Sequence, residues 1–404
     1  MTDTVSPEAE LGRPLAGLRV IDCSRVLAGP FCGSILADFG ADVVRVEHPT
    51  PKDEVRVWQP ARNGYSAAFL AVNHSKRSLA LDLSRPQGAA ILRRLLEQAD
   101  VLIENFRPGT LERYGIDMAA LRHDNPRLIH CAVRAFPAGC AAEGLPGYEA
   151  SIQAYSGIMS VTGEHDGRPV RCGASVVDLS TGLMSVIAVL SALRDRDRTG
   201  RGQYVEPALL RTASNLLAYQ IAGYHLDGSM PQRRGSGHDM LVPYRAFDCA
   251  DGPLFIAAGN DRLWGLLCDV LKLRDANNAV PLPALKERLA NRAAVDTMVE
   301  TATRGWNRLA LMEALKAIGI PSAPVNTIAD YVADETLRSA GVLDAIAVPE
   351  LGEITLAGRL FGGEAPPPRR RPAPRIGEHS DAILKAFGVD DREVAELKRE
   401  GIVR

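Results

Sequence analysis

Asp178 ends the apolar stretch SVVD and stands directly ahead of the helix-patterned run LSTGLMSVIAVL. At the start of a helix, unpaired N–H groups and a partial positive charge favour the ionised form of a carboxylate. These residues leave two readings open: a charged carboxylate available for chemistry, or an N-cap. Glu149, after Gly147 and Tyr148, is a second acid; taken alone it is a surface carboxylate. The turn RVLAGP, residues 25–30, follows an apolar run and opens a helix-like stretch, the place where phosphates bind in dinucleotide folds. Glu47, at the end of the next apolar run, sits where an acid can hold a ribose hydroxyl. The turn lacks G-x-G-x-x-G, which argues against a nicotinamide enzyme and leaves another adenosine-containing ligand. Basic residues gather near strand ends: Lys76 and Arg77, Arg107 and Arg113, Arg127 and Arg134. A ligand with several phosphates would account for them, and so would a solvated basic face.

The elements that must position these residues read as follows. The run at 18–23 (LRVIDC) is a buried strand, FCGSILADFG a helix closed by Gly40, and 42–47 (DVVRVE) the next strand. This is a βαβ unit and implies a parallel sheet. Strands at 78–83, 101–106 and 128–133 continue it, with the helix GAAILRRLLEQA between the first two. The first 135 residues therefore read as an α/β domain of doubly wound, Rossmann-like type. Further on, SIQAYSGIMSVTG reads as a helix and GRPVRCGASVVDL as a turn with an extended stretch. TGLMSVIAVLSALRDRDRTGRG reads as a long helix with Arg194, Arg196 and Arg198 in its last turns and Gly200 as its stop. A smaller α+β unit then begins, with a hairpin turning at Asp251–Gly252 into the strand LFIAAG, followed by helices to Gly319. The expected organisation is a large domain over 1–222, a small one over 223–328, and a segment, 329–404, returning to the large domain. PPPRRRPAP, residues 366–374, is expected to be an extended, solvated strap.

The bulk properties exclude several classes. A chain of 404 residues can bury a large core without a metal or disulfide. With 46% apolar and 24% charged residues it is neither disordered nor fibrous. Lys and Arg number 47 against 49 Asp and Glu, a net charge of −2 that gives no nucleic-acid surface. No continuous apolar run suggests a membrane span, and MTDTVSPEAELG is unlike a secretory signal, so the expected compartment is the cytoplasm. The seven cysteines are scattered without C-x-x-C pairs, and the eight histidines lack ligand spacing, so no metal site is expected.

A set of segments in order carries a resemblance: GLRVIDCSRVLAGP, LADFGADVVRVEHP, NHSKRSLALDL, ENFRPGTLERYG, PGYEASIQAYSGIMSVTG, VVDLSTG, RTGRGQYVEPALL, HDMLVPYRAFDCADG, GIPSAPVNT and IGEHSDAIL. Together they resemble class III CoA-transferases, the group of formyl-CoA transferase and carnitine CoA-transferase, over nearly the whole chain. The resemblance implies that Asp178 is a nucleophile. Its carboxylate would attack an acyl-CoA thioester, form a mixed anhydride and then an enzyme thioester, and pass CoA to an acceptor acid. Glu149, 29 residues earlier, falls at the supporting glutamate. CoA contacts are implied at Leu27, Ala28, His48, Leu81, Asp82, Leu83, Ser84, Asn105, Phe106, Arg107 and Arg113. The resemblance further implies an interlocked, ring-like homodimer. CoA and acyl-CoA enter as substrates, with small carboxylic acids and no resident cofactor.

Leu27 stands where formyl-CoA transferase has Gln, and RRGSGHD does not reproduce its glycine-rich loop, which argues against formate and oxalate as the acids. Two alternatives stay open. One is a relative of α-methylacyl-CoA racemases using Asp178 as a base; there the partner histidine's position is Tyr148, a poor base near neutrality with a pKa of about 10. The other is a non-catalytic CoA-binding protein.

Overall fold

The structure, a computed structural model, describes residues 12–360, 362 and 369–404. The opening MTDTVSPEAEL and the prolines at 366–368 of the strap lie outside the described residues. The chain divides into two compact units, one of Met1–Ser156, Ala174–Leu216 and Glu335–Arg404, the other of Gly157–Gly173 and Leu217–Asp334.

The first unit is built on strands β1 (Arg19–Asp22), β2 (Asp42–Glu47), β3 (Arg77–Ala80), β4 (Val101–Glu104), β5 (Ile129–Ala132) and β6 (Tyr204–Val205). They form one sheet in the order β3-β2-β1-β4-β5-β6, and every neighbouring pair is parallel. Val20, Ile21, Val101, Leu102, Ile103 and Ile129 have no exposed surface. A strand covered on both faces needs apolar residues throughout, which is why these runs read continuously rather than alternating. Strand order reverses between β1 and β4. In open parallel sheets that reversal leaves a crevice at the carboxyl ends of the strands, where ligands bind.

Four strands end short of the runs read for them, β1 and β5 by one residue at each end, β3 and β4 by two or three at their carboxyl ends. The run at 78–83 leaves the sheet after Ala80, and that at 101–106 after Glu104. In each case the remaining residues peel off to line the crevice. Helices α1 (Ala28–Asp38), α2 (Pro86–Leu96), α3 (Glu149–Ser156), α4 (Val176–Thr199) and α5 (Leu209–Leu216) follow. Val176 and Val177, inside the segment read as a turn with an extended stretch, open α4 instead; Val177 is fully buried there, and packing overrides propensity. The helix expected over SIQAYSGIMSVTG breaks at Gly157, which adopts φ 94°. Among the described residues α4 is the one helix long and apolar enough to cross a membrane by length and composition, and half of its most apolar stretch is packed inside the fold.

Close crossing of α1 and α4 sets the site. A Cβ on Gly182 would lie 2.8 Å from the Ala28 carbonyl oxygen and 2.9 Å from the Phe31 ring, so only glycine lets α4 approach the turn that starts α1. The C-terminal segment closes the β3 edge: Val403 pairs with Leu81, and Ile383, Leu384, Phe387 and Leu397 join the core beneath β2 and β3. The strap is not simply solvated. Arg370 is buried, donates 3.0 Å to Asp38 Oδ1 and 2.6 Å to the Ala357 carbonyl. A lone extended segment gains little from packing its backbone, so this buried ion pair fastens it.

The second unit has a three-stranded antiparallel sheet, Tyr244–Cys249, Gly252–Ala257 and Ser322–Pro324, with the middle strand in the centre. Helices Asp261–Leu271, Arg292–Thr303 and Arg308–Ala317 cover it around Trp264, Phe247 and Leu254.

Candidate active site

The crevice is floored by the loops after β1 and β4, and buried charge fixes the first of them. Asp22 accepts 2.7 Å from Lys76 Nζ and 3.0 Å from the Ser24 N–H. Arg45, fully buried, donates 3.2 Å to the Ser24 carbonyl and pairs with Asp53, which in turn accepts 3.4 Å from the Val26 N–H. Val26 sits at φ 66°, a left-handed value rare for a β-branched residue, so the surrounding bonds impose the turn. Asn105, after β4, clamps the loop from the other side: its Oδ1 accepts from the Arg25 N–H at 2.9 Å and its Nδ2 donates to the Arg25 carbonyl at 2.8 Å. Chain leaving the turn enters α1 with no side-chain cap at Leu27.

Several cations proposed from sequence as phosphate ligands serve this framework. Lys76 holds Asp22, Arg77 pairs with Asp42, and Arg134 makes 2.7 and 2.9 Å bonds to Glu104. Glu47, read as a ribose ligand, lines a cavity beside His48 and Asp82, and its carboxylate is also engaged by Arg56 at 2.6 and 2.7 Å and by the Ser78 hydroxyl. Their spacing in sequence could not reveal this, because each partner comes from a different element.

Asp178 lies in the first turn of α4, three residues past the cap position at Ser175, so the N-cap reading does not hold. Ser175 makes no side-chain cap bond. Instead Glu149, buried at the start of α3, accepts from the Val177 N–H at 3.4 Å and from Gln153. The acid read as a surface carboxylate thus caps α4. Asp178 is 9% exposed, and its carboxylate accepts no hydrogen bond among the described residues. Burial, and secondly the charge of Glu149, push its pKa up to about 7. The helix terminus was expected to favour the ionised form. That contribution is about 0.3–1 kcal/mol, below one pKa unit, and cannot offset burial without a donor.

Two cavities open on the crevice. One, of about 320 Å³, is lined by Arg25, Leu27 and Ala28, by Asn105, Phe106 and Arg107, and by Glu149 and Asp178. The other, of about 150 Å³, is lined by His48, Leu81, Asp82, Leu83, Ser84 and again Arg25 and Phe106. His48 Nε2 lies 3.5 Å from Asp82 Oδ1. Burial raises the Asp82 carboxyl, but the Ser84 hydroxyl and amide outweigh it and hold the group below the usual range. Of the residues that the resemblance implies, Arg113 alone lines neither cavity, and of the basic residues read as phosphate ligands Lys76, Arg77 and Arg127 also lie outside them. The Arg113 side chain is exposed and donates 2.8 Å to Thr110 Oγ1. Lys52 and Tyr114 line the second cavity and were passed over in the sequence, and Arg25, first residue of the turn RVLAGP, was not singled out within it. For Arg25 the available signal was its place as the first charge after β1. Tyr148 is exposed at the mouth, and its hydroxyl donates 2.9 Å to Glu54; that bond raises its pKa further, away from use as a base.

Residues 15–380 match CoA-transferase family III. A succinate–glutarate CoA-transferase from Agrobacterium fabrum is 37% identical over 94% of this chain and 97% of its own. A succinyl-CoA:mesaconate CoA-transferase from Haloarcula hispanica is 36% identical over 93% and 96%. Among solved structures, a CAIB/BAIF family protein from Brucella suis superposes with a TM-score of 0.82 at 37% identity, covering 93% of this chain and all of that one.

Proposed function

Because the chain belongs to CoA-transferase family III, and is a class III CoA-transferase, we propose that it moves CoA from an acyl-CoA to a short dicarboxylic acid through a covalent intermediate on Asp178. The observation that carries the mechanism is the carboxylate of Asp178: buried, without a donor among the described residues, pushed up to about 7, and lining the cavity at the reversal of strand order. A poorly solvated carboxylate is a stronger nucleophile than one in water, and near neutrality a large fraction of it is ionised.

In this reading an Asp178 oxygen attacks the thioester carbonyl. The carbon–sulfur bond breaks, CoA leaves as thiolate, and a mixed anhydride remains. The thiolate attacks the aspartyl carbonyl, the donor acid departs as carboxylate, and an aspartyl thioester is left. The acceptor carboxylate attacks that thioester and expels the thiolate, which then attacks the acceptor's own carbonyl. The new acyl-CoA leaves and the Asp178 carboxylate is restored, with no net proton gained or lost. The N–H groups of Ala28 and Gly29 have no acceptor among the described residues, and Ala28 lines the cavity where α1 begins, which suits its N–H to a developing oxyanion. Glu149 positions Asp178 through the start of α4 and sharpens its basicity by charge. His48, Leu81–Ser84 and Asn105–Arg107 would hold CoA, with Arg113 as an outlying contact.

Relatives named for succinate, glutarate and mesaconate point to dicarboxylates as the acids. The interlocked dimer is also part of this reading. The helix Ala218–Asp227 has no buried residue and leaves Tyr219, Ile221, Tyr224 and Leu226 exposed, a face that a second copy would cover. Light scattering should give a dimer at low micromolar concentration, and a folded monomer there removes this part. The test of the chemistry is an exchange assay of succinyl-CoA against C4–C5 dicarboxylates and matched monocarboxylates. Transfer with hydroxylamine-trappable modification at Asp178 supports the reading. Deuterium uptake at the α-carbon without transfer marks a racemase, and binding without turnover a CoA carrier.

A further inference from the structure

Arg25 and Phe106 are the residues that line both cavities. The Arg25 guanidinium lies over the Phe106 ring, 5.9 Å from its centre, and makes no ion pair or hydrogen bond among the described residues. Its backbone, by contrast, is held on both sides by Asn105. The neighbouring cations differ from it. Arg134 in the first cavity is neutralised by Glu104, Arg107 lines only the first, and Lys52 only the second. Arg25 is thus an exposed charge that lines both cavities, its backbone fixed by Asn105 and its donors unspent among the described residues.

We propose that Arg25 grips the diphosphate of the CoA substrate between the two cavities. The inference rests on the placing of the thioester at Asp178. CoA is a nucleotide joined to pantetheine by a diphosphate. With the thioester in the Asp178 cavity and the nucleotide in the His48–Asp82 cavity, the diphosphate is the part that must cross between them. A planar guanidinium with parallel donors unspent suits two adjacent phosphates, and fixing its backbone lowers the entropy lost on binding.

The test uses full-length wild type, Arg25→Ala and Arg25→Lys. Titration calorimetry should show Arg25→Ala weakening both CoA and 3′-dephospho-CoA by about ten- to hundredfold, since both carry the diphosphate. The lysine variant should regain part of that loss, because it keeps the charge but not the fork. In turnover, Arg25→Ala should lose at least about tenfold more kcat/KM on an acyl-CoA than on the matching acyl-pantetheine, which has no diphosphate. Loss on CoA alone, with dephospho-CoA unaffected, would assign Arg25 to the 3′-phosphate and overturn the proposal. So would unchanged CoA affinity with a raised KM for the dicarboxylate, which would make Arg25 a carboxylate ligand. CoA affinity is read without turnover, so these outcomes stay separate from failure of the aspartyl mechanism, which would appear as transfer retained in Asp178→Asn.

Discussion

Asp22 and Asp178 are both buried carboxylates beside the same crevice, and they differ in what surrounds them. Asp22 has no exposed surface; burial raises its pKa, but Lys76, Arg45 and Ser24 outweigh it and hold the group below the usual range. Asp178 is nearly as enclosed, has no donor among the described residues, faces the like charge of Glu149, and is pushed up to about 7. The two also work against pH in opposite directions. The depressed Asp22 contributes stability above the ordinary carboxylate range and loses it as acid titrates the folded group. For Asp178 the folded protein holds the proton more tightly than the unfolded chain, so its contribution is complete at low pH and is lost as pH rises through about 7. A buried acid with its partners supplied builds the framework. One left without partners is free to be acylated, at a cost in stability.

The contrast is broken most directly at Asp178. Asp178→Asn should reduce transfer by about 10³-fold or more while CoA still binds, because no carboxylate remains to acylate. Steady-state exchange and calorimetry read the two halves, and near-normal transfer would end the aspartyl mechanism. On the framework side, Lys76→Met should destabilise the fold by about 3–5 kcal/mol by leaving Asp22 buried and alone. The double variant Lys76→Met, Asp22→Leu should recover most of that loss in denaturant melts; no recovery would mean that the pair is not the unit that matters.

The same Asp178→Asn substitution should raise stability by about 2–4 kcal/mol at pH 8, where the wild type must keep a charge buried, and by much less at pH 5. In activity, the acid limb of kcat/KM should fall near pH 7 rather than near 4, since the attacking carboxylate must be ionised. Glu149→Gln should shift that limb to lower pH by removing the like charge, as a pH series on both proteins would show. The smallest effect is expected at Arg113. Outside both cavities, Arg113→Ala should weaken CoA by only about two- to fivefold, in the range of a screened surface contact. A loss as large as that at a cavity residue would show that the nucleotide extends to Thr110.

Much of the large unit was legible because its strands are buried on both faces and spell themselves as short apolar runs between glycine and proline stops. β2 follows its sequence run residue for residue. The stop of α4 at Gly200 was equally plain, since a left-handed C-cap favours glycine. Where the reading overran, at residues 81–83 and 105–106, the chain leaves the sheet to line the crevice while still using residues that suit a strand. Leu81 and Phe106 remain apolar because they pack against the core even outside the ladder.

Local patterns thus determined the alternation of strand and helix, the parallel sheet and, through a set of ordered segments, the family. They also placed Asp178 at the start of a helix. Tertiary structure alone decided which charges are spoken for. Lys76, Arg77, Arg134 and Glu47 look as available in the sequence as Arg25 does, but each meets its counter-ion across a sheet or helix boundary. It also decided that Asp178 loses its solvent and gains Glu149 rather than a donor. The reason is that desolvation and ion pairing depend on three-dimensional enclosure, which brings together residues tens of positions apart, whereas propensity and periodicity report only on neighbours along the chain.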